Sequence, residues 1–118
     1  MASRVAPMEA GERDRYVTIQ RLVETDEPGF PTEHWEDLAQ MWAAKIDVLG
    51  RERFHAEQLS ARYDTRWEVN YRADLDPDLV DVANERRIVY QGRVYDVVAG
   101  SMIGRKAGVE LMTLSKVG

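Results

Sequence analysis

The chain contains no cysteine. That absence removes disulfide scaffolds and thiolate nucleophiles, and it suits a reducing cytoplasm. Histidine is almost missing as well: His34 and His55 are the only two, without His-Glu-x-x-His spacing, so a zinc site lacks a donor set. No stretch approaches the roughly 20 apolar residues of a membrane span, and the N-terminal residues have no apolar signal-type core. The expectation is a soluble protein with no membrane partner. An excess of basic residues is also lacking, with 16 Lys and Arg against 21 Asp and Glu, a formal charge of −5. This argues against a general wrapper of nucleic acid, because such binding relies on cations displacing counterions from phosphates. A channel through which DNA slides is a different case, since carboxylates along its wall would repel the duplex and prevent sticking.

Catalytic motifs are missing too. Ser60, Ser101 and Ser115 have no Gly-x-Ser-x-Gly context. His55 and Glu57 stand two apart, so a helix would point them to different faces. Asp74, Asp76, Asp78 and Asp81 gather carboxylates, yet they lack the glycine and terminal glutamate of a calcium loop and read as solvated capping residues. The run Gly100 to Gly108 carries Gly104, Arg105, Lys106 and Gly108, amides and cations that could touch a phosphate or an acidic neighbour. It lacks the Gly-Lys-Ser/Thr ending of a P-loop and reads as a flexible hairpin loop. No catalytic residue, metal or cofactor is expected, and the chain is not read as an enzyme.

What is present is period-two alternation. At 118 residues the length fits one domain able to bury a core unaided. Residues 1–14 mix Gly11, Pro7 and charges without a period and read as a flexible arm; residues 15–118 read as one β-barrel domain. Tyr16 to Val23 is the first strand, with Val17 and Ile19 on one face. Glu24 to Thr32 then breaks it, because two prolines and a glycine do not sustain a ladder, leaving a long acidic exposed loop. Met41 to Val48 alternates as a strand, and Arg51 to Ala61 reads as a short helix of about three turns. The strand around Trp67, Val69 and Tyr71 is the clearest half-buried one. Asp76-Pro77 opens a single helical turn through Ala83. Arg86 to Ala99 folds back on itself about Gln91-Gly92, where Gly92 takes positive φ without a Cβ clash. This hairpin fixes register, with Ile88 and Tyr90 on one face and Val89 on the other, and Tyr95 and Val97 alternating with Val94, Asp96 and Val98. Val109 to Leu114 closes the sheet. The fold class is therefore mainly β: a small antiparallel barrel of about six strands with one short helix inserted in a connection.

The order of the pieces resembles the phage head–tail joining family, the head-closure or stopper proteins. Met8-Glu9-Ala10-Gly11 leads into Arg15-Tyr16-Val17-Thr18-Ile19-Gln20-Arg21, a Pro/Gly loop, Trp35-Glu36-Asp37-Leu38-Ala39 and Met41-Trp42-Ala43. Gly50-Arg51-Glu52-Arg53-Phe54, Glu57-Gln58 and Tyr90-Gln91-Gly92-Arg93-Val94-Tyr95-Asp96-Val97 follow in line. Met1 to Pro7 precede the family's usual start, and Leu79 to Glu85 lengthen one connection.

The resemblance implies a structural neck protein of a phage or gene-transfer particle, assembled in the host cytoplasm. It implies a homo-oligomeric ring of twelve or six copies, with portal and adaptor proteins above and tail-terminator or tail proteins below. Packaged double-stranded DNA would pass through the lumen. Within that picture Asp26, Glu27, Pro28, Gly29, Phe30 and Pro31 are the candidate channel-facing or gating loop, and Gly104, Arg105, Lys106 and Gly108 the candidate docking or phosphate-contact loop. Two other readings compete. One is a nucleic-acid-binding barrel stacking bases on Tyr63, Trp67, Tyr71, Tyr90 and Tyr95, although alternation favours core packing for Trp67 and Tyr71. The other is a cation-dependent hydrolase using the Asp74 to Asp81 cluster.

Overall fold

The computed structural model describes residues 12–48 and 63–116. The helix expected over Arg51 to Ala61, and most of the expected N-terminal arm, lie outside the described residues.

Six antiparallel strands close into a barrel in the order β1-β2-β3-β6-β5-β4. They are β1 (Arg15–Glu27), β2 (Phe30–Asp47), β3 (Thr65–Asn70), β4 (Arg86–Tyr90), β5 (Arg93–Ile103) and β6 (Gly108–Ser115). Closure leaves the barrel itself without a free sheet edge, because β1 pairs with both β2 and β4.

Alternation explains which residues fill the interior. Val17 and Ile19 from β1, Trp67 and Val69 from β3, Ile88 from β4, Tyr95 and Val97 from β5, and Val109 and Leu111 from β6 form one buried cluster. Trp67 is its largest member. It meets Tyr95 edge-on with centroids 5.0 Å apart and Tyr90 at 5.7 Å. Its indole N–H donates to Thr113 Oγ1 at 3.0 Å, and that hydroxyl donates to the Thr65 carbonyl at 2.9 Å. The polar end of the largest core side chain is thus satisfied internally.

The β4–β5 hairpin turns at Gln91 and Gly92, with φ of 52° and 77°. Two successive positive φ values match the twist of the flanking strands. The register pairs Ile88 with Tyr95 and Val89 with Val94. Opposed residues share a face, so Tyr95 joins Ile88 inside.

Two loops of the sequence reading become strand. The segment Glu24 to Thr32 is not a loop: β1 and β2 stay paired out to Glu27 opposite Phe30. Pro28 and Gly29 are themselves the turn, with Gly29 at φ 90°, the positions at which a type II turn takes proline and then glycine. Pro31 lies in β2 opposite Asp26, in a two-stranded ribbon whose outer edges are unpaired, where a missing N–H is tolerated. Likewise Gly100 to Ile103 belong to β5 and Gly108 to β6, so the glycine-rich loop shrinks to the turn at residues 104–107. Gly100 and Gly108 serve close packing. A Cβ on Gly100 would lie 2.8 Å from Val82 Cγ2, and one on Gly108 would lie 2.8 Å from the Val69 carbonyl oxygen.

The β3–β4 connection carries a short 3-10 turn (Ala73–Leu75) and the helix α1 (Val82–Glu85). Asp76 does open a turn, accepting from the Asp78 N–H at 2.8 Å, but the helix starts later than expected, after Asp81. Leu75 and Val82 pack into the barrel cluster, which ties this connection down over one barrel end.

Candidate docking surfaces

Strand directions define two barrel ends. The ribbon formed by the outer parts of β1 and β2, the turn at residues 104–107 and the β3–β4 connection all lie at one end. The β4–β5 turn, the start of β1 and the end of β2 lie at the other.

The ribbon leaves the barrel after Arg21, the last β1 residue paired with β4. Residues 22–27 continue for about 20 Å at the usual strand rise, consistent with a longest dimension of 57 Å against 31 and 28 Å. A register shift between Ile19 and Gln20 places an extra residue, Leu38, in β2; bulges of this kind raise twist and re-aim a strand pair. The root of the ribbon is anchored. Arg87 stacks its guanidinium 4.4 Å above the Trp35 ring and donates to Gln20 Oε1 at 2.7 Å, and Gln20 in turn donates to Asp37 at 2.9 Å. Farther out, His34 Nε2 lies 3.1 Å from Glu36 Oε2, and Arg21 donates to Glu36 at 3.3 Å. His34 and then Arg21 hold the Glu36 carboxyl below the usual carboxylate range. Beyond them, Glu24 and Glu33 face each other directly across the ribbon, both exposed. Opposed like charges destabilise such a pair.

The second sequence candidate reduces to Gly104, Arg105 and Lys106, all exposed, at φ 57° for Gly104 and 62° for Lys106. Gly108 is buried in β6. Lys106 is already engaged: its ammonium sits 5.4 Å from the Tyr71 ring centroid and helps hold the nearby Asp76 carboxyl below its ordinary range, after the larger effects of the Tyr71 hydroxyl and the Asp78 N–H. The structure thus brings both sequence candidates to the same barrel end.

The acidic cluster comes apart. Asp74 accepts a bidentate pair from Arg72 at 2.9 and 2.8 Å, Asp76 accepts from Tyr71 at 2.7 Å, and Asp81 accepts from Asn84 at 2.7 Å. These three carboxylates serve separate local bonds, and among the described residues no group of three or more His, Cys, Asp or Glu could hold a metal ion. The stacking platform also dissolves, since Trp67 and Tyr95 are buried.

Sequence reasoning missed two features. One is an exposed aromatic pair, Tyr16 and Trp42, with centroids 4.9 Å apart on opposed strand positions. The other is a recess of about 310 Å³ at the barrel end opposite the ribbon, lined by Arg15, Lys45, Tyr90, Gln91, Arg93 and Tyr95. Its cations come from three strands far apart in sequence. Only the pairing register brings them together, and no local motif announces them.

A family profile for phage head completion proteins matches residues 8–115. The chain belongs to that family. Head completion gives the barrel a structural role in closing the phage head, as a component of the virion that meets other head and tail proteins. The solution structure of protein SF1141 from Shigella flexneri 2a is similar, with a TM-score of 0.73 at 24% identity, covering 91% of this chain and 96% of that one. At that identity the likeness shows a shared fold. No curated protein matches the chain. Among the described residues no helix is long and apolar enough to cross a membrane.

Proposed function

We propose that this head completion protein works as a ring of identical subunits in the particle neck, below the portal and its adaptor and above the tail. There it retains packaged DNA and offers the tail a docking surface. The observation that carries the proposal is the combination of a closed, well-filled barrel with a polar ribbon of about 20 Å standing off it. The barrel acts as a rigid block. Glu24, Thr32, Glu33 and His34 of the ribbon are exposed, so its cost of ordering is offset best by neighbours repeated by symmetry. Its tip, Asp26 to Pro31, is the element we assign to the lumen, where acidic side chains would not adhere to the duplex. Arg105, exposed on the turn at the same end, is assigned to a tail or adaptor contact.

The test is to count filled, empty and tailed particles with and without the protein. Deletion is expected to leave packaging intact while filled heads lose their DNA and fail to take tails. Normal numbers of filled, tailed particles without the protein would refute the neck role. The competing nucleic-acid-binding reading predicts salt-sensitive affinity for short oligonucleotides, and burial of Trp67 and Tyr95 removes the stacking surface that it needs.

A further inference from the structure

Each end of the barrel carries a patch whose charge is complementary to a patch at the other. At one end, Arg15, Lys45 and Arg93 surround the recess, with Tyr90 and Tyr95 among its lining residues. Arg15 donates to the Tyr90 hydroxyl at 3.1 Å, which holds its guanidinium across the recess. Among the described residues, the carboxylates paired with these cations are Asp14, 3.5 Å from Arg15, and Asp47, 2.8 Å from Lys45. Both are well exposed, and surface pairs of this kind contribute little and exchange readily. Arg93, exposed, has no ion-pair partner among the described residues. At the other end, the ribbon carries Glu24 directly opposite Glu33, and neither has a cation partner among the described residues.

We infer that the Glu24–Glu33 pair of one copy docks in the Arg15–Lys45–Arg93 recess of the next copy, linking barrels head to tail. This inference rests on the ring reading above. A recess of about 310 Å³ has room for two carboxylate side chains and not for a folded strand pair, so the ribbon crosses the neighbour's barrel mouth and its tip continues past. The occupant is chosen by charge and by position. The opposed glutamates are already side by side and repel each other; three cations facing them relieve that repulsion and satisfy both. An intrachain contact is excluded, because ribbon and recess lie at opposite ends of one closed barrel. A contact between two different patches is heterologous, and repeats of it close into a ring when the rotation per copy divides a full turn.

The absence of natural cysteine makes the contact directly measurable. A chain carrying Thr32→Cys beside the glutamates and Asp47→Cys beside the recess is assembled into particles and treated with a short bismaleimide. Cross-links between copies, running to multimers, are expected. Glu24→Lys with Glu33→Lys should cut the yield about tenfold, as should Lys45→Glu with Arg93→Glu, and the four changes together should restore it. Failure of the fourfold variant to restore what both pairs abolish would overturn the inference even if one pair disturbs folding. A ring seen in micrographs of the neck without these cross-links would overturn the inference alone, whereas a neck without a ring would overturn both it and the ring reading. Binding of a labelled oligonucleotide that is lost in the Lys45→Glu, Arg93→Glu variant, without cross-links between copies, would assign the recess to DNA phosphates instead.

Discussion

The barrel and the ribbon are made from the same two strands and are held by different forces. In the barrel part of β1, Val17 and Ile19 are wholly buried, and residues 18–21 are paired on both sides, with β2 and with β4. In the ribbon, opposed pairs such as Glu24 with Glu33 and Thr25 with Thr32 are polar, and each strand has one unpaired edge. Burial of apolar surface is the main favourable term in folding, so the first region is specified by its own sequence and the second awaits a surface to lie on. On the proposed function, stability lies in the first region and assembly in the second, and substitutions can separate the two.

The largest effect on the barrel side is expected at Trp67, which is fully buried against Tyr90 and Tyr95. Trp67→Ala should cost about 3–5 kcal/mol, read as a lower urea midpoint, since it leaves a cavity and strips Thr113 Oγ1 of the indole donor. Less than about 1 kcal/mol would show that the interior collapses around the gap and that the barrel is less rigid than a structural block requires.

Next comes the β4–β5 turn. Gly92 has φ of 77° and open space where a Cβ would stand, so Gly92→Val is penalised by backbone strain alone. About 1–3 kcal/mol is expected in thermal or chemical unfolding. Gly92→Asn, which tolerates the left-handed region, should recover most of that loss. Equal destabilisation by both would place the cause outside the turn.

These two sites also show what could be read from sequence. The barrel strands were legible because each alternates against a buried face: Val17 and Ile19, Trp67 and Val69, and Leu111 with Thr113 all sit where the period puts them. Gln91-Gly92 was legible because a two-residue hairpin turn has few chemical solutions. The ribbon was illegible because its residues have no buried face to alternate against, and Pro28, Gly29 and Pro31 read as breakers when two of them form the turn and the third is tolerated at an edge. The recess was illegible for another reason. Arg15, Lys45 and Arg93 each look like an ordinary surface cation, and only register and barrel closure assemble them.

A smaller effect sharpens the comparison through pH. Glu68 lies on the outer face of β3, opposite Ala44 on one side and Glu110 on the other, and is nearly enclosed. Burial pushes its carboxyl above the ordinary range, with Glu110 adding to the rise and Arg66 and Arg13 opposing it. A folded-state value above the unfolded one means that Glu68 favours folding when protonated, and that this contribution is lost as pH rises through the folded value. Asp76 has the opposite sign: bonds from Tyr71 and Asp78 hold it low, so its contribution is present above the ordinary carboxylate value and disappears as pH falls through the depressed one. Glu68→Gln should therefore raise the melting temperature at neutral pH and lose that advantage in acid, whereas Asp76→Asn should lower it at neutral pH and approach wild type in strong acid. Parallel melting curves across pH for Glu68→Gln and wild type would mean that Arg66 and Arg13 compensate the buried charge fully.

The smallest change in stability is expected from the largest deletion. Removing Glu24–Glu27 together with Phe30–Glu33 takes four opposed pairs out of the ribbon and leaves Val23 and His34 to close on the existing Pro28-Gly29 turn. An even number of residues leaves each strand, so every remaining side chain keeps its face. Among the deleted residues whose burial is described, Glu24, Thr25, Thr32 and Glu33, none belongs to the buried cluster, and the anchor of Arg87 on Trp35 is retained. The unfolding free energy should stay within about 0.5 kcal/mol of wild type, as for surface changes away from packed or capped positions, and relief of the Glu24–Glu33 repulsion works in the same direction. Particle counts should nonetheless fall toward those of the full deletion, because the shortened ribbon has neither the acidic pair nor the reach to contact a neighbour. A trimmed protein that melts well below wild type would mean that the ribbon supports the barrel, and the division between a stabilising region and an assembling one would fail. If it melts normally and the particles are filled and tailed, assembly is carried by the barrel wall, and the exposed Tyr16–Trp42 pair becomes the surface to substitute next.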